Sequence, residues 1–221
     1  MSKNPDHGSH FLMAKLITNH MTFLLPELNE EKELNWLSPD KQGHEHQLNY
    51  KKILKVLGFG NENPFDNWWP LRQPQWDGIA LGHIKPNGKR TLYLFEAKSY
   101  PAEMYGKCKA NQNSLNLIND AMKCVNEYNS QEHNNLYQFF NRIAFLNKMR
   151  NLKNNSLIYD DVKLVFLLFY NDISWKDYDA SKVISEETWK NNNIMKMIPP
   201  QIKQNEDILF IYINGEKIYN K

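Results

Sequence analysis

The sequence predicts an α/β fold, a mixed β-sheet flanked by helices, behind a helical N-terminal extension. Three observations predict it. The runs GIALGHI (78–84) and TLYLFEA (91–97) are separated by KPNGKR, and Asn87-Gly88 marks a tight hairpin because both residues accept positive φ. The run VKLVFLLFY (162–170) is continuously β-branched and aromatic, as in a strand covered on both faces. Between and around these runs lie polar stretches whose apolar residues recur at helical spacing.

Each element follows in order. Ser9 is positioned to cap a helix through Thr18, and Pro26-Glu27 opens a shorter one ending near Trp36. Ser38-Pro39-Asp40 starts a third, over 41–57, with Leu48, Ile53, Leu54 and Leu57 as a partial apolar stripe and Gly58 as its stop. Pro64, Pro70 and Pro74 keep 60–75 irregular. After the hairpin, Pro101 suits a helix start, and Leu115, Ile118, Met122 and Val125 share one face of a helix reaching about residue 129. A second helix over about 133–150 carries Leu136, Phe139, Phe140, Ile143 and Leu146. Ser185 with Glu186 and Glu187 begins another helix, and ILFIYI (208–213) is the last strand. The order gives an α/β sandwich.

A chain of 221 residues suits one domain with an appendage: residues 1–40 as the helical extension and 41–221 as a single globular unit. Hydrophobic residues at 41% and charged residues at 24% exclude wholesale disorder. A mean hydropathy of −0.68 and the lack of a long unbroken apolar run exclude a membrane span. Lys15, Asn19 and His20 interrupt FLMAKLITNHMTFLL, which makes it a poor signal peptide. Two cysteines, Cys108 and Cys124, build neither a disulfide framework nor a zinc site alone, so a reduced, cytoplasmic setting is expected. The net charge of +2 decides nothing about nucleic acid, although residues 101–155 carry seven basic against four acidic side chains. Lys107, Lys109 and Arg142 in that stretch are candidate phosphate contacts.

One constellation carries chemistry. Trp76-Asp77-Gly78 opens the first hairpin strand and Glu96-Ala97-Lys98 closes the second. Residues two apart in a strand share a face, so Glu96 and Lys98 point the same way, and the hairpin returns Asp77 opposite them. Two carboxylates and an ammonium suit a hard divalent cation with a polarised phosphate beside it. The alternative is an ion pair at the end of a strand with Asp77 capping a turn.

Asp77 followed by Glu96-x-Lys98 at the end of an apolar strand, and then by a helix, resembles the PD-(D/E)xK, restriction-endonuclease-like nuclease superfamily. The stretch PQWDGIALGHI…TLYLFEAKSYPAE is similar to an uncharacterised bacterial branch of it. The resemblance covers mainly residues 45–170, with Trp76 standing where many members have proline. It implies an αβββαβ core within a nuclease domain over 41–221. It also implies Mg²⁺ or Mn²⁺ held by Asp77 and Glu96, with Lys98 assisting hydrolysis of a phosphodiester, most readily in DNA. Members often add a Glu from the first core helix, for which Glu45 is the candidate. Some place a Gln and an aromatic on a later helix, where Tyr137, Gln138 and Arg142 stand. The competing reading is a non-catalytic nucleic-acid-binding or protein-interaction module on the same fold; a homodimer is compatible with either.

Other features are weaker. His44 and His46 would face apart on a helix and so not share an ion. His83 reads as a core or rim histidine. Trp68, Trp69 and Trp76 suit either base stacking or a packed aromatic plug beneath the hairpin. Glu103, just past the motif, is placed to reach a metal through water or to favour a helix N-terminus.

Overall fold

The hairpin forms around Asn87-Gly88. In the computed structural model β2 (Gly78–Leu81) and β3 (Arg90–Lys98) are neighbours in the sheet. Gly88 takes φ +79, its N–H donates to the Lys85 carbonyl at 2.9 Å, and Lys85 N–H donates to the Lys89 carbonyl at 2.8 Å. The structure describes residues 6–28, 31–126, 135–152 and 155–220. The described strands form a five-stranded mixed sheet in the order β1-β2-β3-β4-β5, where β1 is Asn35–Ser38, β4 is Tyr159–Tyr170 and β5 is Ile208–Asn214. No described helix is long and apolar enough to cross a membrane.

The chain divides into two compact units. Unit 1 gathers Met1–Glu33, Phe95–Met104 and Val165–Lys221; unit 2 gathers Leu34–Leu94 and Tyr105–Leu164. Strands β3 and β4 contribute to each.

Unit 1 begins with α1 (Gly8–Asn19), which buries Leu12, Met13 and Leu16. Its partner is α8 (Gly215–Tyr219), and a Cβ added at Gly215 would meet Leu12 Cδ1 at 2.9 Å and the Asp172 backbone at 3.0 Å. Small size is what lets those segments meet. Three short helices, α5 (Glu186–Asn191), α6 (Asn193–Met197) and α7 (Pro200–Lys203), lie between β4 and β5 in the chain. Ser185 caps α5 as expected, its hydroxyl accepting Thr188 N–H. The buried Trp189 of α5 donates its Nε1 proton to the Phe169 carbonyl at 2.7 Å, which satisfies the indole inside the core.

Unit 2 holds α2 (Lys51–Leu57), α3 (Gln112–Asn126) and α4 (Tyr137–Asn151). Helix α4 buries Phe139, Phe140, Ile143, Phe145, Leu146 and Met149, together with Asn141 and Arg142. Phe65, Trp68 and Trp69 close on Phe145 with centroids 4.8–5.6 Å away. The tryptophans are therefore a packed plug.

Four expectations change. Helix α1 starts at Gly8 behind His7, so Ser9 lies inside the helix and is not its cap. Residues 35–38 form a strand, not the end of a helix, because they pair antiparallel with β2 in the register Asn35↔Leu81 and Trp36↔Ala80. Pairing to an existing strand overrides local preference. Residues 41–50 are irregular and α2 begins only at Lys51. The Asp40 carboxylate accepts the N–H groups of Gln42 at 3.0 Å and His44 at 2.9 Å, and the Ser38 hydroxyl accepts that of His46 at 2.8 Å. These bonds take the donors a helix would need. After β3 the chain makes a 3-10 turn, Pro101–Met104, and α3 starts later, where the Asn111 side chain accepts Ser114 N–H. The expected end of that helix near 129 and the expected start of the next near 133 lie outside the described residues.

Gly58 ends α2 as expected, at φ +99, and a Cβ there would sit 2.0 Å from the Ser156 carbonyl oxygen. Gly58→Ala is expected to cost about 2 kcal/mol or more from the left-handed backbone and the clash together. Urea unfolding monitored by circular dichroism measures it.

Candidate functional site

Unit 1 carries the end of β3. From Thr91 to Ser99 every residue is buried, Glu96 and Lys98 included. Lys98 Nζ donates to Glu96 Oε1, which places both side chains on one face of the strand as the alternation required. Each ion loses several kcal/mol of hydration, and their attraction offsets this only while both are present.

The strand end is held by its neighbours. Ser99 N–H donates to Glu103 Oε2 at 2.6 Å, and Ser99 Oγ accepts the Trp175 Nε1 proton at 2.8 Å. Asp172, fully buried, accepts from Ser174 N–H at 3.1 Å and from the Ser174 hydroxyl at 2.5 Å. Burial pushes the Glu103 carboxyl above its ordinary value; the Ser99 N–H and the Lys98 charge pull it back, and Asp172 adds to the rise. Asp172 is likewise raised by burial, against the bonds from Ser174.

Unit 2 carries Asp77 and Glu45. Asp77 directly precedes β2, and Glu45 lies in the irregular segment before α2. Both are half-buried, and their carboxylate oxygens come within 4.8 Å of one another. Glu45 arrives there from a loop, not from the first core helix. The segment 45–49 is laced to 71–76: Trp76 N–H donates to the His46 carbonyl at 3.4 Å, Gln73 N–H to Gln47 Oε1 at 3.1 Å, and Asn49 N–H to Gln73 Oε1 at 3.2 Å. These bonds bring the two carboxylates together.

The remaining candidates fall in different settings. Lys107 and Lys109 are exposed between the 3-10 turn and α3. Gln138 is half-buried in the first turn of α4. Burial, reinforced by Cys108, holds the neighbouring Tyr137 hydroxyl well above its usual value. Arg142, a candidate phosphate contact, is only 3% exposed. Its Nη2 donates to the Gln75 carbonyl at 2.7 Å, its Nη1 to Asn141 Oδ1 at 3.2 Å, and its guanidinium carbon sits 4.5 Å from the Trp76 ring centroid. The amphipathic reading of α4 missed this, because an Arg among apolar residues looks identical on a buried and an exposed face.

His44 and His46 share a partner after all. Both reach Asp40 Oδ2, at 3.4 and 3.2 Å, because the backbone there is not helical, and His46 stacks on Tyr50 at 4.1 Å. The His44 N–H, first among these bonds, lowers the Asp40 carboxyl to about 2. His10 lies in the first turns of α1. Comparison with protein-family models, curated proteins and solved structures finds no match to this chain.

Two outcomes follow from this geometry. Lys98→Met should cost about 3–5 kcal/mol by removing the ammonium that pairs with buried Glu96, and adding Glu96→Gln should recover part of that loss. A double-mutant cycle in urea measures both. Asp40 has a lowered folded value, so its ionised form stabilises the protein above its unfolded value of 3.8, and that contribution disappears as pH falls toward about 2. Asp40→Asn should therefore lower Tm at pH 6, with the gap to wild type narrowing between pH 4 and 2 in thermal melts.

Proposed function

We propose that this chain is a divalent-metal-dependent nuclease that hydrolyses phosphodiester bonds, with DNA as the first substrate to test. Within unit 2, Asp77 is the metal-ligating carboxylate and Glu45 supports it; within unit 1, Glu96 and Lys98 are the pair that the resemblance to the nuclease superfamily assigns to metal and phosphate. The observation that carries the reading is the approach of Asp77 and Glu45, two carboxylates from separate segments, to within 4.8 Å. Bringing like charges together is unfavourable unless a cation compensates them. The carboxylate oxygens of that pair are hard donors of the kind Mg²⁺ and Mn²⁺ take. When bound, such an ion neutralises charge on a phosphoryl oxygen and lowers the pKa of a coordinated water. Lys98 holds an ammonium at the end of a buried strand, where low dielectric strengthens its pull on an anionic oxygen. Exposed Lys107 and Lys109 are available to the backbone of a nucleic acid.

A second reading draws on the Glu96–Lys98 ion pair. Each ion already has its partner within unit 1, as it would in a non-catalytic nucleic-acid-binding or protein-interaction module.

Nicking of supercoiled plasmid decides between them. Wild type should cleave with Mg²⁺ or Mn²⁺ and not with EDTA, and Asp77→Ala should abolish cleavage. In thermal melts, Mn²⁺ at about 100 times its dissociation constant should stabilise wild type by about 2.7 kcal/mol, a shift of a few degrees, and leave Asp77→Asn unmoved. Absence of metal-dependent cleavage of single- or double-stranded DNA and of RNA leaves the module reading in its place.

A further inference from the structure

Arg142 is buried in the middle of α4, where an arginine has no hydration, and its bonds show what holds it there. Nη2 donates to the carbonyl of Gln75. The N–H of the same peptide unit, that of Trp76, donates to the His46 carbonyl. One rigid peptide plane thus takes the guanidinium on one edge and grips the 45–46 segment with the other. A charge-assisted bond to a carbonyl polarises its peptide and strengthens the opposite N–H as a donor. The residue after Trp76 is Asp77, and the residue before His46 is Glu45.

The Trp76 ring completes the clamp. It is fully buried beneath the guanidinium and meets Phe145 edge-on at 6.1 Å. Its Nε1 has no hydrogen-bond partner among the described residues. An indole buried without that bond is held by packing and by the cation over its face.

We propose that Arg142 is a positioning residue that sets the approach of Asp77 and Glu45 by gripping the Gln75–Trp76 peptide. As a site for Mn²⁺ the carboxylate pair rests on the nuclease reading; as a geometric arrangement it does not. A lysine cannot reproduce the planar fork that serves Gln75 and Asn141 at once.

The test compares wild type, Arg142→Lys, Arg142→Met and a control, Arg150→Met, which removes an equal charge from the exposed last turn of α4. Mn²⁺ binding is followed by calorimetry and amide exchange by NMR, the latter on metal-free protein. Arg142→Met should bind Mn²⁺ at least about tenfold more weakly, Arg142→Lys should fall between it and wild type, and Arg150→Met should match wild type. In the metal-free protein, Arg142→Lys should speed exchange of the Trp76 amide about tenfold while the cores of β3 and β4 keep their protection. Unchanged Trp76 exchange, or loss of protection spread evenly over the protein, overturns the proposal. Equal Mn²⁺ loss in Arg142→Met and Arg150→Met also overturns it. If wild type binds no Mn²⁺, the metal reading fails, and the Trp76 exchange pattern alone decides the role of Arg142.

Discussion

Burying Glu96 and Lys98 side by side in β3 sets the terms for much of unit 1. Each ion gives up its hydration, and a buried pair holds only while its geometry is fixed and its neighbours are satisfied. The end of the strand is fixed accordingly. Ser99 is bonded through its amide to Glu103 and through its hydroxyl to Trp175, so the residue next to Lys98 has little freedom. Asp172 and Ser174 occupy the 3-10 turn and its cap beyond β4, and the Ser174 hydroxyl in turn accepts Gly8 N–H at the start of α1. A polar network of this kind is stable as a whole and costly to leave half-satisfied.

Unit 2 solves a related problem by different means. The two carboxylates that approach one another there, Glu45 and Asp77, lie on irregular backbone, where nothing local enforces their positions. The bonds that do so come from elsewhere: Gln47, Asn49 and Gln73 cross-link the two segments, and Arg142 reaches across from α4. Helix α4 is buried on nearly every side, which gives the guanidinium a rigid base. The aromatic plug of Phe65, Trp69 and Phe145 packs against the same helix, so core packing and side-chain placement share their supports.

Strands were legible where their signal is local. The Asn87-Gly88 turn, the run at 162–170 and the run before Asn214 all form near the expected places, because φ preferences and β-branched composition act over a few residues. Strand β1 was not legible: Asn35-Trp36-Leu37-Ser38 has no strand alternation of its own and owes its conformation to β2. The helix expected over 41–57 shrank to Lys51–Leu57 for a comparable reason. Asp40 and Ser38 side chains capture backbone donors, and sequence periodicity carries no record of that competition.

The sequence by itself determined the α/β class, the hairpin and the shared face of Glu96 and Lys98, since strand alternation with period two follows from the backbone alone. It also placed Asp77 at the mouth of β2. Tertiary structure decided which other groups join these residues. Glu45 reaches Asp77 from a loop, through bonds between segments distant in the chain, and Arg142 turns inward to hold a peptide. A charged side chain in a helix has the same letter whether it faces water or a carbonyl. Only the packing around α4 settles which.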